Sequence, residues 1–219
     1  MKKRVLLTLT VMALVSVGIT GCGGSEKKET KAATTAAETE TVEATEAAKE
    51  YVQGITTETG WESQWLNMKF TAGEGVTMMS EADMDEVMSA GEEVTGTETD
   101  GFEYTYEMMA SDATGVTSVG VIVEKALVSP EQYMEVLVQE LEGMEGEITF
   151  SVVNGIVDQE FLGRPMKFVE VDSSYQGVNM VQTYMIGEQD GYLIEIIGTG
   201  TAETREALEG LMNSFSTLE

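Results

Sequence analysis

Short runs in which apolar and polar residues alternate recur along residues 61–219, and they constrain the fold more than any other feature of this chain. A period of two places every second side chain on one face of a β-strand, so these runs predict strands with one buried and one solvated face. In the clearest run, polar residues separate Phe102, Tyr104, Tyr106 and Met108. Further runs occupy residues 66–70, 119–123, 148–152, 166–172, 178–186 and 192–197. The last run is almost continuously apolar, which predicts a central strand.

Two dipeptides between these runs predict tight turns. Asn154-Gly155 and Asp190-Gly191 are pairs that supply the positive φ angles of two-residue hairpin loops. We therefore expect the strands of the C-terminal part to be antiparallel.

Three segments carry helix signals instead. Ser80 is a predicted N-cap, and Ser129 is followed by Pro130 and by Gln132, which completes a capping box. Thr201 is predicted to cap the last helix. Apolar residues then recur at helical spacing at Met84, Val87, Met88, Met134, Leu137, Val138, Leu141, Leu208, Leu211, Met212 and Phe215. Helices between hairpin-linked strands predict an α+β fold, with a single, mostly antiparallel central sheet packed by about three helices.

The two ends of this part of the chain resemble a known family. Residues 64–71 read Gln-Trp-Leu-Asn-Met-Lys-Phe-Thr and run into Gly75 and a helix. Residues 191–196 read Gly-Tyr-Leu-Ile-Glu-Ile and lead to a helix that closes at residues 213–215. Both ends are similar to small exported domains with the PsbP/Mog-type α/β/α sandwich fold. The resemblance implies that fold for residues 61–219 and a role as an assembly factor or partner-binding module, and it transfers no catalytic residue.

Residues 1–22 have the pattern of an export signal. Three basic residues at positions 2–4 precede an apolar run over residues 5–20, which is shorter than the roughly 20 residues of a membrane span. The run ends in Ile-Thr-Gly-Cys at residues 19–22, which closely resembles the bacterial lipobox. That resemblance implies cleavage before Cys22 and attachment of a diacylglycerol and a fatty acid to this residue.

Cys22 is the only cysteine, so the folded part has no internal disulfide. Each lipid methylene buried in a membrane contributes about 0.8 kcal/mol, so two or three acyl chains would anchor the protein firmly. No other cofactor is expected. An ordinary secretory signal with a chance cysteine is the alternative. We favour the outer face of the cytoplasmic membrane, because a long polar tether suits a thick wall, with the periplasmic face as the alternative.

Residues 23–60 are rich in Thr, Ala and Glu and contain almost no large apolar side chains. Such a segment cannot bury enough surface to offset the entropy of ordering it. We therefore predict a flexible tether here and a globular domain over residues 61–219. A helix between residues 32 and 50 is the alternative, but no apolar stripe is available there for a partner.

Charge excludes several functions. The chain has 12 Lys+Arg against 39 Asp+Glu, a formal net charge of −27, and no His. Without imidazole, Ser-His-Asp and Cys-His catalysis and His-ligated zinc are excluded. An acidic chain repels phosphate backbones, which argues against nucleic-acid binding. The charge either keeps the surface solvated, repels the domain from anionic membranes, or binds divalent cations weakly.

No motif in the sequence selects catalytic or metal-binding residues. The densest acidic group contains Glu81, Asp83, Asp85 and Glu86, but it lacks the Gly and the final Glu of an EF-hand loop. No spacing among the acidic residues selects a catalytic carboxylate pair. We therefore predict no catalytic residue and no metal site, and we do not expect an enzyme.

Four residues are candidates for contact with a partner. Arg164 and Lys167 are two of the five basic residues of the domain and flank a predicted turn into a strand. They either contact an anion or a partner, or form internal ion pairs. Trp61 and Trp65 stand where the tether meets the domain. Exposure of Trp61 would indicate a contact site, whereas Trp65 is expected to cover the sheet edge.

These patterns together predict a lipid-anchored cell-envelope protein whose folded part is a non-enzymatic protein-binding or assembly module. Its expected partners are the membrane, through the lipid, and an envelope protein. A divalent-cation- or solute-binding lipoprotein is the alternative.

Overall fold

The computed structural model describes residues 50–84, 104–143, 148–175 and 177–218. Its strands are β1 (Ile55–Thr57), β2 (Gly60–Ser63), β3 (Met68–Thr71), β4 (Val76–Met78), β5 (Tyr104–Asp112), β6 (Ser118–Lys125), β7 (Ile148–Phe161), β8 (Arg164–Tyr175), β9 (Val178–Gln189), β10 (Tyr192–Thr201) and β11 (Phe215–Thr217). Helix α1 (Pro130–Glu142) follows β6, helix α2 (Arg205–Met212) follows β10, and residues 81–84 are also helical. The predicted α+β class with a mostly antiparallel sheet is confirmed.

The main sheet has seven strands in the order β4-β5-β6-β10-β9-β8-β7, and its neighbours pair antiparallel. The almost continuously apolar strand β10 is fourth of the seven, so the prediction of a central strand is confirmed. Its side chains alternate between the two faces of the sheet: Leu193 and Ile197 belong to one core, Ile194 and Ile196 to the other.

A second, four-stranded sheet in the order β1-β2-β3-β11 accompanies the main one. The sequence analysis expected a single sheet and missed the second, because its strands have only three or four residues and show little alternation. Phe215, expected on the last helix, lies instead in β11 opposite Phe70 of β3. Helix α2 has already ended at Met212.

The main sheet is covered on both faces. Helix α1 buries Tyr133, Met134, Leu137 and Leu141 against one face. The small sheet and α2 cover the other face, where Gly198 of β10 lets α2 approach closely. A β-carbon at Gly198 would stand 2.8 Å from Leu208 Cδ1.

Two of the three predicted helix N-caps are observed, and the third is not. Ser129 and Gln132 form the expected capping box at α1. Ser80 Oγ accepts a hydrogen bond from the Asp83 N–H at 3.3 Å, as an N-cap should. Thr201, however, is the last residue of β10 rather than a cap, and α2 begins after Thr204. The strand continues past the expected boundary because Thr201 still pairs with β9.

The two predicted turns also differ in outcome. Asp190 and Gly191 form the hairpin between β9 and β10 with φ of 51° and 83°, as predicted. Asn154-Gly155 was wrongly predicted to be a turn, because both residues lie inside β7, where the pairing with β8 shifts register. The hairpin that follows β7 is made instead by Leu162 and Gly163, with φ of 52° and 78°.

The folded part begins before the predicted boundary at residue 61. Strand β1 pairs with β2, and Tyr51 and Gly54 are hydrogen-bonded to β5. Hydrogen bonds to a buried carboxylate, the pairing of β1 with β2 and the packing of the Tyr51 ring hold this segment. The predicted export signal, Cys22, the alternative helix up to residue 49 and most of the predicted tether lie outside the described residues. Among the described residues, no helix is long and apolar enough to cross a membrane.

Candidate functional site

A carboxylate lies inside the molecule at a bulge in β5. The pairing of β5 with β6 shifts between Tyr106 and Met108, so Glu107 is an extra residue on the bulged strand. Its side chain is 2% exposed and points toward the small sheet, where it meets residues 51–61.

The Glu107 carboxylate holds the N-terminal segment through three hydrogen bonds. Oε1 accepts from the Tyr51 hydroxyl at 2.8 Å, and Oε2 accepts from the Gly54 N–H at 2.7 Å and from Trp61 Nε1–H at 3.1 Å. We call Tyr51, Gly54, Trp61 and Glu107 the clasp. Burial raises the pKa of Glu107, and these three bonds oppose that rise. Burial and the bond to Glu107 also raise the pKa of Tyr51.

Gly54 is required by the geometry of the clasp. A β-carbon at this position would collide with Trp61 Nε1 and would stand 2.7 Å from Glu107 Oε2. Only a residue without a side chain therefore allows the backbone N–H to reach the carboxylate.

Three aromatic rings pack beside the clasp. Tyr51 stacks edge-on against Trp65 with 5.2 Å between ring centroids, and Tyr192 lies 5.3 Å from Tyr51 and 5.7 Å from Trp65. Trp61 is 1% exposed and Trp65 is 9% exposed. The exposure that would have marked Trp61 as a contact site is therefore not observed, because its ring lies in the core and its N–H is held by Glu107.

Two segments near the clasp, residues 52–55 and the loop after β6, carry exposed apolar side chains. Val52, Ile55 and Leu127 are 63%, 71% and 65% exposed, and they are three of the six large apolar side chains exposed in the described residues. Val52 follows Tyr51 of the clasp. Leu127 follows Ala126, whose N–H donates a hydrogen bond to the carbonyl of Gly191, the residue before Tyr192. We call Val52, Ile55 and Leu127 the junction surface.

Arg164 and Lys167 lie at the start of β8 and do not join the clasp. Arg164 is partly buried and donates from Nη2 to the carbonyl of Leu66 at 2.9 Å, and burial lowers its pKa. Lys167 Nζ lies 2.8 Å from Asp158 Oδ1 and 3.7 Å from Glu131 Oε1. The structure thus gives Lys167 internal ion pairs and Arg164 a backbone bond, and contact of either with a partner stays a prediction.

A second buried carboxylate lies between the main sheet and α1. Glu195 of β10 is 0% exposed, and its Oε1 accepts a hydrogen bond from the Tyr133 hydroxyl of α1 at 2.9 Å. Burial and the nearby Glu124 raise the pKa of Glu195 well above its ordinary value, against the opposing effect of Tyr133. The carboxyl therefore favours the protonated, neutral form.

Phenol groups and an amide surround Glu195 on this face. Glu195 acts electrostatically on Tyr106 of β5 and Tyr184 of β9, and burial raises the pKa of both phenols. The Gln182 side chain lies beside Tyr184. We call Glu195, Tyr106, Tyr184 and Gln182 the buried polar group.

Neither buried carboxylate was identified by the sequence analysis. Glu107 occupies a polar position of the alternating run, which predicts a solvated side chain, but the small sheet covers the face of β5 opposite Tyr104 and Tyr106 and buries it. Glu195 gave a usable signal, because it is the only charged residue in the apolar run at 192–197.

The acidic residues at 81–86 show no metal-binding geometry where they are described. Asp83 Oδ2 accepts hydrogen bonds from Ser80, and these bonds lower the Asp83 pKa. Asp85 and Glu86 lie outside the described residues. Within the ranges that the structure describes, no three His, Cys, Asp or Glu residues are grouped to hold a metal ion.

No protein-family model and no curated protein matches this chain. The fold is similar to the solution structure of cyanobacterial PsbP (CyanoP) from Synechocystis sp. PCC 6803, with 9% identity and a TM-score of 0.44, over 77% of this chain and 98% of that chain. It is also similar to LpqN, described as involved in cell envelope biogenesis of Mycobacterium tuberculosis, with 8% identity and a TM-score of 0.41, over 69% of this chain and 83% of that chain. Both TM-scores are low, so no argument about fold or function rests on either similarity.

Proposed function

We propose that this chain is a lipid-anchored cell-envelope protein, carried at the outer face of the cytoplasmic membrane, whose domain binds or helps to assemble an envelope protein without catalysis. The export pattern of residues 1–22 and the position of Cys22 support the anchor. The absence of histidine and of a motif that selects catalytic residues supports a non-enzymatic role.

The junction surface is the observation that carries the binding role. Its three apolar side chains are exposed on a protein whose formal net charge is −27. The clasp fixes the backbone on which Val52 and Ile55 stand, so this surface is presented with little ordering cost on binding. A partner that meets this end of the domain would do so close to the tether.

A photo-crosslinking residue at position 127 tests this role on intact cells that express the lipidated chain. We expect Leu127 to give one dominant crosslinked protein, because an exposed apolar side chain at an interface becomes buried against the partner. The matched control is the same residue at position 178, since Val178 is 39% exposed and begins β9, at the other end of the strand from the Asp190-Gly191 turn. Equal products at both positions, or none at 127, would contradict the proposed surface.

The anchor has its own test. The Cys22→Ser change is expected to move the protein from the membrane fraction to the soluble fraction, because the serine hydroxyl cannot form the thioether that carries the diacylglycerol. Fractionation followed by immunoblotting measures the shift, and metabolic labelling with a fatty acid analogue should fail in parallel. Unchanged membrane retention of the serine variant would refute the lipid anchor.

A second candidate function, binding of a cation or another small solute, is favoured by the buried polar group. Polar atoms that are buried without partners are expensive, and a bound solute is one way in which they become satisfied.

A further inference from the structure

Several polar atoms between the main sheet and α1 lack partners. Glu195 Oε2 and the Tyr106 hydroxyl are buried and have no hydrogen-bond partner within the part of the chain that the structure describes, and the Tyr184 hydroxyl and the Gln182 amide have none there beyond each other. Each such group destabilises the folded state when it is left unsatisfied. A bound molecule would supply the missing hydrogen bonds and so offset the cost of burying these groups.

These atoms share one face of the sheet. Tyr184 is paired with Ile197, and Gln182 with Thr199, on the same face of β9 and β10 as Glu195. Tyr106 is paired with Ile122 of β6, which is itself paired with Glu195. The cluster therefore follows from strand register as well as from side-chain contacts.

The chemistry of the cluster selects the charge of a ligand. Glu124 is acidic and Glu195 carries a negative charge whenever it ionises, so the cluster favours a positive ligand over an anion. Phenol oxygens and a carboxylate oxygen accept hydrogen bonds, and aromatic faces attract cations. A positive ligand would also offset the burial and the repulsion by Glu124 that together favour the neutral form of Glu195.

The side chains on this face favour an organic cation over a divalent metal ion. A divalent metal prefers six or more oxygen ligands with several carboxylates, whereas no group of three metal-ligating side chains occurs among the residues described. Ile122, Leu193 and Ile197 lie on this face and would be in contact with an alkyl chain. An alkylammonium ion has N–H donors for Glu195 and the phenols, and an apolar part for these neighbours.

We propose that the buried polar group is a binding site for a small primary alkylammonium ion, held by Glu195 Oε2, Tyr106 and Tyr184 and oriented by Gln182. The strongly negative protein field would raise the local concentration of such cations. This inference rests on the second candidate function and is independent of lipid anchoring and of the junction surface.

Calorimetry and thermal unfolding of the purified Cys22→Ser chain, with n-butylammonium chloride as the probe, test this inference. We expect saturable binding and a raised unfolding temperature, because a ligand that binds only the native state stabilises it. Butanol, the neutral analogue, and KCl at matched ionic strength are expected to have no comparable effect. Stabilisation by KCl equal to that by the ammonium salt would indicate general screening and would overturn the site.

Two variants locate the binding. Glu195→Gln keeps the shape of the side chain and removes the charge, so affinity for n-butylammonium should fall by about tenfold or more. Tyr184→Phe removes only a hydroxyl and should weaken binding several-fold with the fold intact by circular dichroism. Glu203→Gln is the control, because Glu203 is exposed. Unchanged affinity in a folded Glu195 or Tyr184 variant, or no binding to the starting chain, would overturn the proposal. Loss of the crosslinked partner alone would not affect it.

Discussion

Replacing Trp61 with Ala is expected to lower the free energy of unfolding by about 3–5 kcal/mol, because removing a fully buried ring leaves a cavity that the core fills only in part. Trp61 is 1% exposed and packs in the core beneath the small sheet. The change also removes a donor from Glu107. Urea unfolding followed by the fluorescence of Trp65, the remaining tryptophan, measures the loss.

The Trp61→Phe variant separates the two contributions. It keeps an aromatic ring in the core and removes the N–H that Glu107 accepts, so the expected loss is smaller, about 1–3 kcal/mol. A loss in the Ala variant no larger than that in the Phe variant would show that the ring contributes little, contrary to its burial.

Lowering the pH from about 8 to about 5 is expected to stabilise the protein, the opposite of the usual effect of a paired carboxylate. The pKa values of Glu195 and Glu107 are both raised above the ordinary 4.5 by burial. Between the unfolded and folded pKa values, the native state binds more protons than the unfolded chain. The stability that these groups contribute is thus present below the unfolded pKa and is lost as the pH rises through the folded pKa.

The Glu195→Gln variant measures how much of this pH dependence comes from Glu195. Each unit by which a folded pKa exceeds the unfolded one corresponds to about 1.4 kcal/mol, so the variant should gain stability over the starting chain as the pH rises. The titratable groups that act on Glu195 or on which it acts in the described structure are Glu124 and the phenols of Tyr106, Tyr133 and Tyr184. Unfolding free energies measured at several pH values give the profile. A variant profile parallel to that of the starting chain would contradict the assignment.

Long periodic elements of this fold are predictable from sequence, whereas short ones are not. The apolar run at 192–197 identifies the central strand because burial on both faces requires apolar side chains throughout. The three-residue strands β1 and β11 show no such pattern, since their place is set by contacts with residues far along the chain. Asn154-Gly155 misleads for the same reason, because the sheet accommodates it as an irregularity within one long strand.

The candidate sites are less predictable than the fold because they depend on burial that no local pattern records. Glu107 has the sequence context of a solvent-facing strand residue, and it is buried because the small sheet, which the sequence did not predict, covers that face. Tyr51 and Gly54 lie in a polar segment that is held by hydrogen bonds to that carboxylate and by the packing of the Tyr51 ring. Lys167, by contrast, was correctly considered as an internal ion-pair partner, because a lone cation on so acidic a domain has many anions within reach.

If the chain is anchored at Cys22 as proposed, the clasp has a mechanical consequence. Pulling on the tether would reach Tyr51 and Gly54 before β1, since both precede that strand in the chain and are bound to Glu107. Strand β1 would be loaded at the open end of its hairpin with β2, where strand pairs open one after another under small forces. The bonds to Glu107 stand in series ahead of that hairpin, so they would take up tension first and keep it from the core.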